Sequence, residues 1–418
     1  MTPTSYLHGD LLDERFQALD RFLITHRGLW RPRPFTEPVL AWEHEHPALA
    51  AWLRERSLDE AERTPDPATL PMPFPALAGE AQHLAAVGPL PQGELAAAGH
   101  RQSTGVPGRK WAQIEAFGRC LTYARTPEHW LDWCAGKGHL GRRLLQPGQR
   151  LTCLEYDAAL VDAGQALSDH HHLPARHLRQ DVMAVDCADR LDDHLSPVAL
   201  HACGDLHVRL LHLASQRGCP QIAVAPCCYN RIAGEQYSPV SQAARASSLH
   251  LSLDDLGLPL SEAVTAGART RRQRDASMAR RLGFDLLQRQ QRGVDDYLPT
   301  PSLPVAWLEK PFETYCRDLA QLKGLTVQGT VNWRDLEARG WQRLAQVRNL
   351  ERVRHLFRRP LELWLVLDRA LYLREHGYDV RVGVFCDYAL TPRNVLILAE
   401  RQEQPVDKSV YKPVIKGA

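Results

Sequence analysis

The chain has 418 residues, 44% of them hydrophobic and 24% charged, with a formal net charge of +2. That length exceeds one average domain, and the composition is that of a globular protein rather than a disordered, collagenous or membrane-spanning one. No apolar run approaches the roughly 20 residues that cross a bilayer, and a near-zero net charge leaves any nucleic-acid argument to local patches.

The opening Met1-Thr2-Pro3-Thr4-Ser5 lacks the basic, apolar and small-residue series of an export signal. Ten cysteines in so long a chain are not a secreted disulfide framework, so a reducing cytoplasm is the expected location. Residues 1–65 predict a helical region, with Leu12, Phe16, Leu19, Phe22 and Leu23 at helical spacing and a further turn or two over Ala48–Arg54. From residue 66 to 107 the chain is rich in proline among alanines and glycines, which predicts a linker or an extended wrap. An amphipathic helix then starts at Gly108-Arg109-Lys110-Trp111 and runs to about Ala124.

Strands and helices alternate after it. Strands are expected at Leu131–Trp133, Leu151–Glu155, Ala175–Gln180, Pro197–His201 and Gln221–Ala225. The helices between them are expected at Arg142–Leu145, Ala158–Leu167 and Val208–Gln216. This alternation implies an α/β fold with a parallel, doubly wound sheet, whose ligands bind at the carboxyl ends of the strands. Residues 236–359 interrupt the pattern with an arginine-dense stretch that includes Arg271, Arg272 and Arg274. Helical patterns return at Trp341–Phe357 and Leu361–Glu375. Two strand patterns, Asp379–Phe385 and Val395–Ala399, follow with a loop short enough for an antiparallel hairpin. Residues 402–418 form a C-terminal tail.

The most informative stretch is Asp132-Trp133-Cys134-Ala135-Gly136-Lys137-Gly138-His139-Leu140-Gly141. A strand ends in an acid and a glycine turn that opens a helix, a design that presents backbone N–H groups to a ligand close to the main chain. Glu155 follows about twenty residues later, where a nucleotide ribose is usually held. Read literally, Gly136 to Gly141 also fits a dinucleotide fingerprint. Two features favour S-adenosylmethionine over NAD. Asp132 can meet the cationic methionyl amine but would repel a pyrophosphate. The final antiparallel hairpin also departs from an all-parallel dehydrogenase sheet.

Asp132 to Gly138 resembles the first motif of class I S-adenosylmethionine-dependent methyltransferases, acid-x-Gly-x-Gly-x-Gly, with Cys134 in place of the first glycine. His201-Ala202-Cys203-Gly204-Asp205-Leu206 and Pro226-Cys227-Cys228-Tyr229 are similar to a narrower branch. That branch includes acceptor-stem tRNA ribose methyltransferases and methyltransferase-like proteins whose fifth strand ends in Cys-Cys-Tyr/His. Arg109-Lys110 and Thr391-Pro392-Arg393-Asn394 resemble parts of it too. The likeness covers residues 108–235 and 360–401 as the core.

The resemblance implies a Rossmann-like, seven-stranded methyltransferase sheet with an antiparallel C-terminal hairpin. The N-terminal helical region and a helical insertion after strand five would be additions to it. The implied cofactor is S-adenosyl-L-methionine, its methionyl part held by Asp132, Gly136 and Gly138, its ribose by Glu155 or, second, Asp157, and its adenine amino group by Asp181. Cys134, His139, Leu140, Tyr156 and Val182 complete the implied cofactor set, while His201, Ala202 and Cys203 would face the sulfonium and the substrate.

His201, Cys203, Cys227 and Cys228 fall at the carboxyl ends of neighbouring strands, and three readings stay open. The cysteines pack a tight core; or they form a catalytic or positioning cluster with His201 or Tyr229 nearest the acceptor; or they hold zinc. The His-x-Cys and Cys-Cys spacings are not the usual paired-knuckle pattern, so no metal is expected. Methyl transfer needs alignment and, for a hydroxyl acceptor, a base. The absence of an Asn-Pro-Pro-Tyr-like element after the fourth strand weakens an exocyclic base nitrogen as acceptor. Attack by Cys227 or Cys228 on a pyrimidine ring is a further route.

His170-His171-His172 reads as a solvated turn. The arginines are either a solvated helical face or phosphate contacts. The expected function is methyl transfer to a nucleophilic acceptor, with RNA, tRNA included, as the favoured substrate and Arg271, Arg272 and Arg274 as its contacts. Protein or small-molecule methylation, and a non-catalytic cofactor- or RNA-binding module, are the alternatives; no membrane partner is expected.

Overall fold

The computed structural model describes residues 5–63, 65–97, 103, 105–261 and 268–402. Residues 403–418 of the expected tail, 262–267 of the expected insertion and 98–102 and 104 of the Pro-rich stretch lie outside the described residues.

Eight strands form one sheet: β1 (Leu7–His8), β2 (His129–Trp133), β3 (Arg150–Glu155), β4 (Ala175–Arg179), β5 (Leu195–Cys203), β6 (Gln221–Cys227), β7 (Tyr378–Val384) and β8 (Val395–Arg401). Their order is β1-β7-β8-β6-β5-β2-β3-β4. Strands β2 to β6 pair in parallel, and β8 runs antiparallel to both β6 and β7. The sequence predicts seven strands. The eighth is the dipeptide Leu7–His8, which adds to the β7 edge by pairing Leu7 with Val382. Two residues carry no readable period, so their pairing is set by the edge they join.

The central strands are uniformly buried: every residue of β6 is, and so are Trp130 to Trp133 of β2. Such continuous burial requires cover on both faces. On one face, Ile114 and Phe117 of the helix Gly108–Arg119 and Leu140 and Leu144 of the helix His139–Leu144 pack on Leu151, Val198, Ala223 and Leu398. The helix Asp205–Arg217 also packs along β5 and β6, and its Ser215 shares a hydrogen bond of 3.0 Å with Tyr372 of the helix Arg358–Glu375.

The chain forms two compact units. One comprises Met1–Gln17, Ala86–Leu256 and Trp364–Ala418 and holds the sheet; the other comprises Ala18–Ala85 and Gly257–Leu363. The Pro-rich stretch contains a real helix, Phe74–Leu84, whose Phe74, Leu77, Ala81 and Leu84 are buried. Proline 75 stands in its first turn, where the missing N–H costs nothing. In the second unit the arginine-dense segment is one helix, Ala268–Arg292, packed on Trp333–His355. Gly283 does not break it. A Cβ on Gly340 would come within 2.6 Å of the Ala279 carbonyl oxygen and 3.1 Å of the Gly283 Cα, so glycines let the two helices cross closely. Among the described residues, no helix is long and apolar enough to cross a membrane.

Candidate functional site

The turn after β2 has a left-handed backbone at three positions. Cys134, Gly136 and Gly138 all adopt left-handed backbone, with φ of +55°, +57° and +71°. Glycine adopts this region without strain, whereas a residue with a Cβ meets its own carbonyl there. Cys134 therefore occupies a position that suits glycine, and the turn keeps its course because Ala135 N–H donates to the Leu154 carbonyl at 3.0 Å and Gly138 N–H to the Ala135 carbonyl at 2.8 Å. Gly138 has no room for a side chain: a Cβ would lie 2.5 Å from His177. Above Gly136, by contrast, a Cβ would meet nothing within 4 Å. That open space borders a cavity of about 200 Å³.

Asp132, Cys134, Gly136, His139 and Leu140 line this cavity from the turn, and Leu200 and His201 line it from β5. Lys110 and Ile114 of the helix Gly108–Arg119 complete its wall. Asp132 is 2% exposed and accepts the Gly141 N–H at 2.9 Å, bracing the start of the helix His139–Leu144. Burial pushes its carboxyl up to about 6, against the pull of that N–H and of Arg142. The helix begins at His139, three residues before the expected Arg142. His139 Nδ1 accepts from Arg142 at 3.2 Å, and burial together with Arg142, Lys110 and Lys137 lowers its pKa to about 4, so it is neutral.

Glu155 ties the turn to β3. Its Oε2 accepts from the Gly136 N–H at 2.8 Å, and its Oε1 accepts from the N–H groups of Tyr156 at 2.9 Å and Asp157 at 3.0 Å. Tyr156 is largely exposed. Asp157 caps the helix Ala158–His170, accepting from Ala159 at 2.8 Å and Leu160 at 3.3 Å. Both of these bonds use Oδ1 of the carboxylate, the arrangement of a helix N-cap. Asp181 is exposed just beyond β4 and accepts the Met183 N–H at 2.9 Å, while Val182 is buried.

On β5 the ladder to β6 breaks register between Leu200 and Cys203, and His201 has φ +68°. The break aims His201 at the helix Gly108–Arg119, where its Nε2 lies 2.7 Å from Gln113 Oε1. Gln113 donates its own amide N–H to the Leu390 carbonyl at 3.2 Å, so its oxygen faces His201 and the imidazole must donate. Burial, Lys110 and Arg393 lower the His201 pKa, keeping the ring neutral with its lone pair on Nδ1. Arg109 reinforces the arrangement by donating to the carbonyls of Leu390 at 2.6 Å and Ala389 at 3.2 Å. Arg109 and the final loop thus clamp the helix that carries Lys110 and Gln113. Asn394 holds that loop closed by donating to the Cys386 carbonyl at 2.7 Å.

Ala202 is fully buried and works through its carbonyl, which accepts from His207 Nδ1 at 2.9 Å. His207 Nε2 accepts from Arg369 Nε at 2.7 Å, so this imidazole is also neutral. Arg369 donates to Tyr237 at 2.9 Å, and Tyr237 donates to Asp368 at 2.5 Å. The carboxylate of Asp368 further accepts the N–H groups of Val240 at 3.0 Å and Ser241 at 2.7 Å. This buried network supports the end of β5 and was invisible in the sequence, because hydrogen-bonded partners in it lie up to 162 positions apart.

Tyr229 is not among the residues that line the cavity. It is 1% exposed, with its ring 6.3 Å from His207 and 5.3 Å from the Arg369 guanidinium. It is a core residue, turned inward after the left-handed Cys228 at φ +48°. Cys203, Cys227 and Cys228 do come together, with all three sulfurs within 4.8 Å of one another. The Cys203 and Cys227 sulfurs lie 3.8 Å apart. The neighbouring Cys203 and Cys228 thiols, and then burial, raise the Cys227 pKa, and the Cys227 thiol, with Arg393 and Arg231, lowers that of Cys228 to about 5. His170 to His172 form the exposed end of the helix Ala158–His170, a solvated turn.

Arg271, Arg272 and Arg274 lie in the second unit, on the exposed first turns of Ala268–Arg292. The arginines further along are used internally: Arg280 donates to the Lys310 carbonyl at 2.8 Å, and Arg289 pairs with Asp285 at 2.8 Å and Asp295 at 2.6 Å. The arginine count therefore overstates the exposed positive face.

The methyltransferase-domain family matches residues 109–235, the stretch that carries the turn, both cysteine motifs and strands β2 to β6. A comparison with curated proteins finds no match. Among solved structures, the chain is similar to the Pyrococcus abyssi tRNA (uracil-54, C5)-methyltransferase in complex with S-adenosyl-L-homocysteine, at 13% identity over 28% of this chain and 29% of that one, with a TM-score of 0.23. It is also similar to an S-adenosylmethionine-dependent methyltransferase of Clostridium acetobutylicum, at 13% identity over 30% of this chain and 53% of that one, TM-score 0.23. A mitomycin 7-O-methyltransferase gives 16% identity over 30% of this chain and 41% of that one, TM-score 0.22. The chain thus spans between 29% and 53% of the length of these three. Residues 109–235 thus match the methyltransferase-domain family.

Proposed function

We propose that the chain transfers the cofactor's methyl group to RNA, at a nucleophile presented beside His201. The observation that carries RNA is the exposed cationic face: Arg269, Arg271, Arg272 and Arg274 lie on the first turns of one helix, and the nearby Asp275 is paired with Arg348 at 2.5 Å. Arg271 and Arg274 also line a cavity of about 440 Å³ in the same unit. Planar guanidiniums clustered on an exposed helix start suit phosphate oxygens.

The bound cofactor supplies an electrophilic methyl group on a sulfonium. The residues that fit it are those of the cavity: Gly136 leaves the room, Asp132 places a carboxyl at the turn, and Glu155 fixes the turn on β3. His201, neutral and with Nδ1 unprotonated, accepts the proton of a hydroxyl acceptor as the bond to carbon forms. Methyl transfer demands alignment above all, and the clamp of Gln113 and Arg109 on the final loop serves that alignment.

The test is incubation of the full chain with radiolabelled cofactor and separately fractionated RNA, protein and metabolites. RNA labelling that is lost in His201→Ala agrees with the reading. Label confined to protein or metabolites removes RNA as the acceptor.

A further inference from the structure

We propose that Cys203, Cys227 and Cys228 form a binding site for one thiophilic divalent cation, zinc by its chemistry, at the carboxyl ends of β5 and β6. The inference does not depend on the methyl-transfer reading.

Strand register and backbone shape bring the thiols together. Cys203 and Cys227 are direct partners in the β5–β6 ladder. Consecutive residues of a regular strand point to opposite faces, so Cys227 and Cys228 would ordinarily diverge. The left-handed backbone of Cys228, φ +48°, ends that alternation and lets the second sulfur join the first. A non-glycine residue held in this region costs energy that the surrounding structure must offset.

The spacing suits tetrahedral zinc. Zn–S bonds of about 2.3 Å place neighbouring ligand sulfurs about 3.8 Å apart. Cys203 and Cys227 stand at 3.8 Å, and no sulfur pair of the cluster exceeds 4.8 Å, so closure onto an ion needs about 1 Å of side-chain movement. Cys203 and Cys228 are partly exposed, which gives an ion a way in, while Cys227 is buried. A divalent ion with three thiolates carries a net single negative charge, and the guanidiniums of Arg231 and Arg393 act on Cys228 to offset it. Each thiol releases its proton on binding. Among the described residues the group whose ligand atoms lie within 4.8 Å of one another is these three cysteines, without His201. Three protein ligands therefore leave a fourth position for water or another exogenous atom, the pattern of open rather than closed zinc sites.

The site is tested by titrating the reduced, metal-stripped full chain with cobalt(II). The expected result is one cobalt per chain, with thiolate-to-cobalt charge-transfer absorption and tetrahedral d–d bands that zinc abolishes. Cys203→Ser and Cys228→Ser each weaken binding by about tenfold or more, a loss that even outer-shell changes produce, while Cys386→Ser leaves it intact. Absence of the charge-transfer band in the folded wild type overturns the proposal without any variant. So does undiminished binding in both ligand variants, or a reduced protein that forms a Cys203–Cys227 disulfide in air but takes up no cobalt. Binding of S-adenosylhomocysteine by the same preparation reports on the cofactor cavity separately, so failure of one reading is distinguishable from failure of the other.

Discussion

Gln113 fixes the tautomer of His201. Its amide N–H is spent on the Leu390 carbonyl, so its oxygen takes the His201 Nε2 proton at 2.7 Å and leaves Nδ1 unprotonated. The consequence is directional. Gln113→Ala frees the ring and lowers kcat by about tenfold with KM for the cofactor little changed, whereas His201→Ala costs about 100-fold or more. Gln113→Glu puts a carboxylate against the imidazole and raises its pKa. Because the base works deprotonated, the acid limb of the rate–pH profile then moves to higher pH, which initial-rate measurements of methyl transfer will show.

Cys134 stands at φ +55° in a turn whose other two left-handed positions are glycines. Removing its Cβ relieves about 1 kcal/mol of backbone strain, partly offset by the greater freedom of glycine in the unfolded chain. Cys134→Gly therefore raises the denaturant midpoint slightly, and the β-branched Cys134→Val lowers it. Equilibrium unfolding of the three proteins side by side is the check.

Asp132 is buried with its carboxyl pushed up to about 6, from an ordinary value of 3.8. The folded state thus holds this proton where the unfolded chain has released it. Its contribution to stability is complete below about pH 3.8 and is lost as pH rises through 6. A shift of about two units corresponds to roughly 3 kcal/mol. Asp132→Asn keeps an acceptor for the Gly141 N–H and has no proton to lose. Urea unfolding at pH 4 and pH 7 should show the stability difference between variant and wild type moving in the variant's favour as pH rises.

Much of the core was legible because its signals are local. The seven principal strands follow from short apolar runs punctuated by Gly, Asp and Pro, and Asp132, the glycine turn and Glu155 lie within one βαβ stretch. What was hidden is non-local. Gln113 reaches His201 across 88 positions and Arg369 reaches His207 across 162, and no spacing in the chain announces either contact. Tyr229 looked reactive because it follows two cysteines. The left-handed Cys228 reverses the chain there and buries the ring. The arginine-dense helix misled by number: Arg280, Arg281 and Arg289 are held by carbonyls and acids of their own unit. The helix Phe74–Leu84 was masked by the prolines around it, one of which stands where a helix start tolerates it.

The exposed pair Arg271 and Arg272 gives the RNA reading a quantitative edge. If both meet phosphates, replacing them with glutamate weakens RNA binding and flattens its salt dependence. The slope of log affinity against log salt falls by about 1.4 for single-stranded RNA when two contacts are lost. Filter-binding isotherms over a salt series measure this, and an unchanged slope means that these arginines do not touch the phosphate backbone.

The central claim is that the cavity framed by Asp132, Gly136 and His201 holds S-adenosylmethionine. Calorimetric titration of the full chain with S-adenosylhomocysteine tests it most directly. The account predicts saturable binding at one site per chain, weakened by about tenfold, or 1.4 kcal/mol, in Glu155→Ala. No heat of binding from the folded wild type, or identical isotherms for the wild type, Glu155→Ala and Asp132→Ala, would contradict it.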